Sequence, residues 1–264
     1  LLTRHEILRT VFPAPGGEPR QHILPIDEAR ARLRWEDIEA PRELADPAAL
    51  VGDAAFDITS ELPLRIRLFA VGDGGIDTDD HVLVVVLHHI AADGASLPTL
   101  VGDLAQAYRE RRAGRAETWD AAALDYRDHA VESATAPAAT DELGFWTEHL
   151  AGAPAESTVE PVGGGRRGSG ARSVSLPLPA HTRAGLTAFA REQSTTPFSV
   201  LHTALAILLH RLGVGDDLVI GSPVDNRTGM TGVDRDYSGV VGMFVNMVPL
   251  RSHLRSAETV AALV

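Results

Sequence analysis

Residues 88–94 read HHIAADG: two adjacent imidazoles, a carboxylate four residues after the second, and a glycine. Imidazole is the one side chain whose ordinary pKa lies near neutrality, so it can take up and return a proton at pH 7. On a regular strand, successive side chains point to opposite faces, so His88 and His89 do not address one site. That spacing argues against a metal centre, and no HExxH helix supplies ligands four residues apart. A histidine at a strand end is ordinarily a hydrogen-bonded core residue, but the neighbours here suggest more. Asp93 can return toward an imidazole or bind a cation behind it, and Gly94 permits a backbone conformation that other residues resist.

The elements that must position this stretch can be read on either side of it. Residues 82–87, VLVVVL, form an unbroken apolar run that reads as a strand buried on both faces. Residues 64–70, LRIRLFA, alternate as a half-buried strand does, and GDGGIDTDD at 72–80 joins the two as a hairpin. After the glycine, Ser96 can cap a helix with Leu97, Leu100, Val101, Leu104 and Tyr108 as one stripe. Arg109, Arg111 and Arg112 suit its C-terminal dipole, and Gly114 ends it. A strand end followed by a tight turn into a helix is where open α/β architectures place chemistry.

Elsewhere, Leu2–Val11 shows near-helical spacing and HILP at 22–25 reads as a short strand. A stretch rich in Gly, Pro and Ala at 151–172 reads as a linker. Beyond it come a strand, SVSLPL, a helix at 180–193, and a second helix opening at Thr196-Pro197. That helix carries Phe198, Leu201, Leu205, Leu208 and Leu212 on one face, with Gly213 after it. DLVIGSPV at 217–224 and VVGMFVNMVPL at 240–250 read as strands. The expected architecture is α/β, as mixed sheets in two lobes, 1–160 and 161–264. The first residue is Leu, and SAETVAALV at 256–264 enters a new helix capped by Ser256, so the expectation is a piece of a longer chain.

The chain has 24 Lys and Arg against 36 Asp and Glu, a formal charge of -12, which opposes binding to a phosphate backbone. It has no cysteine, which removes disulfides, thiolate metal sites and cysteine nucleophiles. Its longest apolar run, Val82–Leu87, is far short of a membrane span. Neither nucleic acid nor membrane is an expected partner.

HHIAADG resembles the HHxxxDG signature of nonribosomal peptide synthetase condensation domains, in the chloramphenicol acetyltransferase-like superfamily. Other segments agree with that family in order. RHEILRTVF at 4–12 is similar to RHExLRTxF, and FDITSELPLRIRLFA at 56–70 to the stretch preceding the active-site hairpin. YRDHA at 126–130 is similar to YxDYA, while IGSPVDNR at 220–227 and VGMFVNMVPLR at 241–251 resemble second-lobe strand motifs. Two positions depart from the pattern: His129 stands where Tyr is usual, and Glu132 where Trp is frequent. The resemblance implies two acyltransferase-like lobes in a V-shaped pseudo-dimer, with the second lobe incomplete here.

It also implies amide-bond formation between aminoacyl or peptidyl groups brought on the phosphopantetheine arms of upstream and downstream peptidyl carrier proteins. The resemblance further implies that the domain itself binds no cofactor or metal, that an adenylation domain adjoins it in the parent chain, and that the setting is cytoplasmic. His89 is the expected catalytic group. An α-amino group has a pKa of about 7.7–8.0, so a useful fraction is neutral near pH 7 and deprotonation before attack is not the main obstacle. A general base is worth roughly 10²- to 10⁴-fold, whereas holding two reactants together can be worth about 7–11 kcal/mol. His89 is therefore expected to orient the amine and accept its proton as the adduct forms. His88, Asp93 and Gly94 are expected to support it, with the Gly94 amide near the developing oxyanion. Asp93 is expected to pair with an arginine from another motif, Arg227 first and Arg4 second, or else to partner the dipole of the helix beginning near Ser96. Arg9 is a further structural cation or an ordinary partner of Glu6, and Ser222 and Asn246 are candidate substrate contacts. Two other readings share the fold: an epimerisation domain, and a non-catalytic module that recruits a partner. A coenzyme A acyltransferase is weakened by the missing DFGWG motif.

Overall fold

The computed structural model describes residues 1–40, 55–71, 81–116, 118–119, 124–135, 140–159, 174–228, 235–254 and 259–264. It is a mixed α/β protein with two compact units. One comprises residues 1–137 and 225–246, the other residues 138–224 and 247–264. The first unit thus recovers a segment from far along the chain, which a single boundary at 160 does not anticipate. Residues 160–172 of the expected linker and residues 72–80 of the expected hairpin turn lie outside the described residues.

In the first unit, Leu2–Val11 is not a continuous helix. A 3₁₀ turn, Glu6–Arg9, runs into β1 (Thr10–Val11), whose β-branched residues pair antiparallel with β2 (His22–Ile23). After α1 (Ile26–Arg32), the chain forms a three-stranded sheet of β3 (Arg34–Ala40), β4 (Leu64–Val71) and β5 (His81–Leu87). β4 is central, parallel to β3 and antiparallel to β5, with Leu64 opposite Leu87. Among the described residues β5 is therefore an edge strand, and it is not buried on both faces: Val82, Leu83 and Val85 are 37%, 39% and 42% exposed. Leu2, Ile7, Leu8, Phe12, Leu64 and Val241 are among the side chains that form the core beneath.

The helix α2 (Ser96–Arg112) follows the histidine loop, but its buried line is not the expected stripe. Ser96 and Leu100 face inward, while Leu97, Val101 and Tyr108 are half or more exposed. The rotation brings Asp103 to Arg4 and His5, at 2.7 and 2.8 Å, and Ser96 to Asp93. Among the described residues, α3 (Tyr126–Thr135) completes the helices of this unit.

The second unit contains α4 (Thr140–His149), α5 (Ala180–Glu192), α6 (Pro197–Arg211), most of the paired β6 (Asp217–Asp225) and β7 (Val245–His253), and α7 (Val260–Leu263). The Thr196 side chain caps α6 by accepting the Ser199 N–H at 3.1 Å. α6 turns Val200, Thr203 and Ala206 inward, and Ala206 packs with Leu218 and Leu254. Its leucine-rich face stays open, from Leu205 at 42% to Phe198 at 56% exposed, because small residues permit the closer approach. Residues 174–178 form no strand, and residues 240–244 are irregular and mostly buried rather than part of β7. Gly114 and Gly213 follow their helices at φ of +69° and +84°, as expected of helix-ending glycines.

Candidate active site

The loop between β5 and α2 carries the histidine pair. β5 ends at Leu87 and residues 89–91 form a turn, so strand alternation does not separate the imidazoles; the turn does. His88 is half-buried, and His89 is exposed. The His88 N–H donates to the Pro63 carbonyl at 3.0 Å, and its Nδ1 accepts the Ile90 N–H at 3.0 Å. A nitrogen that accepts carries no proton, so neutral His88 is the Nε2–H tautomer. Its ring meets Phe56 edge to face, with centroids 5.8 Å apart. His89 makes no hydrogen bond or ion pair among the described residues.

Behind the turn lies a buried polar cluster. Asp93 Oδ2 accepts from Arg227 Nη1 at 2.8 Å and Oδ1 from Nη2 at 2.6 Å, a two-pronged contact between side chains 0% and 3% exposed. Oδ2 also accepts the Phe244 N–H at 3.0 Å, and Oδ1 the Ser96 N–H at 3.0 Å. The two readings of Asp93 thus coexist: it faces an arginine and it satisfies an N–H at the start of α2. Burial by itself raises the Asp93 carboxyl, but hydrogen bonds from Arg227, Phe244 and Ser96 outweigh it and hold the group at about 2. Asp93 is therefore an anion at neutral pH and not a base. The guanidinium of Arg227 also meets Asp225 at 3.0 Å and stacks over the Phe244 ring at 4.3 Å.

Arg4 and Arg9 lie elsewhere. Arg4 pairs with Asp103 at 2.7 Å and covers the Trp119 ring at 4.5 Å. Arg9 pairs with Glu6 at 2.7 Å and donates to the carbonyls of Leu2 and Leu24, tying down the first turn of the chain. Ser222 is half-buried on β6 in the second unit, and Asn246 is exposed on β7 at the end of the first. Gly94 is exposed and does not occupy the left-handed region, and a Cβ added there meets nothing within 4 Å. The conformational reason expected for that glycine is therefore absent.

Sequence reasoning missed the residues that complete the cluster. The Ser96 hydroxyl reaches Asp93 Oδ1 at 2.9 Å and the Gly242 carbonyl at 3.0 Å. It accepts from Arg227 Nη2 at 3.0 Å and the Gly242 N–H at 3.1 Å. Its single proton serves one acceptor at a time, so it is the hub of the network; it is the first residue of α2 rather than the expected cap, with Ala95 at the N-cap position. Gly242 lies so close to Tyr126 that a Cβ would strike the ring, whose hydroxyl donates to the Met243 carbonyl at 2.8 Å. The Asp93-to-Ser96 spacing was a local signal for the hub; Gly242 gave none. His129 packs between Tyr126, Tyr237 and Phe244, with burial holding its imidazole below the ordinary value. Glu132 accepts the Tyr237 hydroxyl at 2.5 Å and pairs with Arg235 at 2.7 Å.

Among the described residues, no three His, Asp or Glu side chains converge in a way that would hold a metal ion. No helix there is long and apolar enough to cross a membrane. What remains is one exposed imidazole on a loop anchored by a buried ion pair.

A protein named "Probable non-canonical nonribosomal peptide synthetase (NRPS) CymA", from Salinispora arenicola, is 38% identical over 259 residues. The alignment spans 94% of this chain and 3% of that protein. Among solved structures, the X-domain from teicoplanin biosynthesis, in complex with OxyB, superposes with a TM-score of 0.79 at 32% identity. The first condensation domain of the calcium-dependent antibiotic synthetase, in complex with a substrate analogue, superposes with a TM-score of 0.70 at 26% identity. Each match covers 98% of this chain, and the chain spans 56% and 60% of the two solved chains. The profile of the Condensation domain family matches residues 1–264. With the match running from the first residue to the last, the chain belongs to the Condensation domain family.

Proposed function

We propose that this chain is the part of an amide-forming condensation domain that supplies the catalytic histidine, joining an acyl group and an amine delivered on two carrier proteins. The observation that carries this reading is the division of labour in the loop. Asp93 is buried and neutralised by Arg227, His88 is held by backbone groups, and His89 alone is exposed and unengaged among the described residues.

In the reaction, the amine nitrogen of the acceptor attacks the thioester carbonyl of the donor. The C–N bond forms, the C–S bond breaks, and the proton lost from nitrogen ends on the departing thiolate of the donor's phosphopantetheine arm. His89 orients the amine and carries that proton, while the arms hold the reacting atoms together. Asp93, Arg227 and Ser96 touch neither substrate; they fix the loop from behind. His88 and Gly94 belong to the loop itself, and Ser222 and Asn246 are proposed to meet substrate. The domain requires no cofactor of its own, and the carrier proteins and an adjoining adenylation domain are its proposed partners.

His89→Ala, assayed by mass spectrometry of carrier-bound products with both carriers loaded, is expected to lower amide formation by at least 10²-fold. Transfer within a few-fold of the parent chain would exclude the proposed role. A second reading is favoured by the match to the X-domain, which was solved in complex with OxyB: a non-catalytic module that recruits a partner protein. Unchanged carrier-bound groups with the parent chain, together with binding of a separate protein, would select it.

A further inference from the structure

The segment FDITSELP at 56–63 leads directly into β4, and its Phe56 ring reaches the histidine loop. Its path is well defined. Asp57 accepts from the Thr59 hydroxyl at 2.5 Å and the Ser60 hydroxyl at 2.7 Å, and the Ile58 carbonyl accepts the Phe12 N–H at 2.8 Å. Arg65, on β4, reaches back to it: Nη2 donates to the Ala55 carbonyl at 2.6 Å and to Glu61 Oε2 at 2.8 Å. In that position the guanidinium lies over the Phe56 ring, 4.1 Å from its centroid. Phe56 in turn meets the His88 ring edge to face, with an interplanar angle of 85°.

We propose that Phe56, held by Arg65, is a positioning residue for His89, acting through His88. The clamp that His88 makes, Nδ1 to the Ile90 N–H, spans the residue between them, which is His89. It requires that the imidazole keep one rotamer and that Nδ1 carry no proton. A single hydrogen bond from a half-buried ring does not enforce either condition, because the ring can turn about χ2 and trade partners with water. Phe56 closes that freedom by occupying the space into which the His88 ring would swing. Arg65 fixes Phe56 in two ways, by stacking on its face and by hydrogen-bonding the carbonyl just before it. The Pro63 carbonyl, which accepts the His88 N–H, belongs to the same stretch, so one segment holds both the backbone and the ring of His88.

The proposal rests on the assignment of His89 as the working imidazole, but its test does not depend on activity. ¹⁵N NMR of histidine-labelled chain is expected to show His88 as the Nε2–H tautomer, with the Ile90 amide slow to exchange. In Phe56→Leu, which keeps apolar bulk and loses the aromatic face, the His88 signals are expected to average between tautomers. The Ile90 amide should then exchange at least tenfold faster while the amides of the β4–β5 ladder keep their protection. Phe56→Tyr should restore both, and Arg65→Lys, which keeps the charge for Glu61 but not the planar stack, should fall between. Should Phe56→Leu not fold, Arg65→Lys decides the matter on the same two signals. A parent chain with His88 protonated at Nδ1 would overturn the proposal. So would variants in which Ile90 and the ladder lose protection together, or in which neither changes. Failure of the parent chain to form amide would count against the proposed reaction and leave this measurement intact.

Discussion

Asp93 is a charged residue wholly engaged inside the fold. Both of its oxygens are consumed by Arg227, with the Ser96 and Phe244 N–H groups taking the remaining acceptor capacity. Removing one member of such a pair leaves the other buried and unpaired, a change that commonly costs about 3–5 kcal/mol. Asp93→Asn, measured by denaturant unfolding, is expected to lose stability in that range, with the His89 side chain unaltered. A soluble variant with the parent midpoint would contradict the role assigned to the pair. The motif made Asp93 and Arg227 visible in the sequence because both are ionisable and sit at fixed offsets from other landmarks. Ser96 was visible as a helix start at a suggestive spacing from Asp93, and Phe56 and Gly242 only as members of longer matched stretches. Their importance comes from who approaches them across long chain separations, which no local pattern records.

At the scale of elements, type was far more legible than facing. β4, β5, α2, α5 and α6 lie close to where periodicity, caps and turn residues predict them. The buried faces of α2 and α6 differ from their hydrophobic stripes, because a stripe tells only which side is apolar and not which side finds a neighbour. α2 is rotated by the demands of Asp103 and Ser96, and α6 by the closeness that Thr203 and Ala206 permit. The start of α6 is where local chemistry does decide the outcome. Thr196 satisfies the otherwise orphaned Ser199 N–H and Pro197 occupies the first turn, where no N–H is needed. Thr196→Ala should cost about 1 kcal/mol in unfolding free energy, and Thr196→Ser close to nothing. Equal losses for the two would show that packing by the threonine methyl, not the cap, sets the boundary.

For the whole molecule, the buried ionisable groups predict how stability follows pH. His5 and His129 are held below the ordinary histidine value by burial, so the unfolded chain binds more protons than the folded one as pH falls below about 6.5. Their contribution is complete above that pH and declines beneath it. Asp93, held at about 2 against an unfolded value near 3.8, adds stability that is present above that value and lost as pH falls toward 2. Denaturant midpoints measured from pH 7.5 to 3 should therefore fall in two stages, the first removed by His5→Gln together with His129→Gln. A midpoint that rises on acidification from 7 to 5.5 would contradict this assignment. The pairing of Asp93 with Arg227 also has a consequence in time. The partners stand 134 residues apart in sequence, with Gly242 and Phe244 farther still. At a synthesis rate of about 5–20 residues per second, the emerging loop waits on the order of ten seconds before the guanidinium that must neutralise it exists. Until then the first unit lacks the cation that neutralises the buried carboxylate, so the histidine loop acquires its final form only after residues 227–244 have been made.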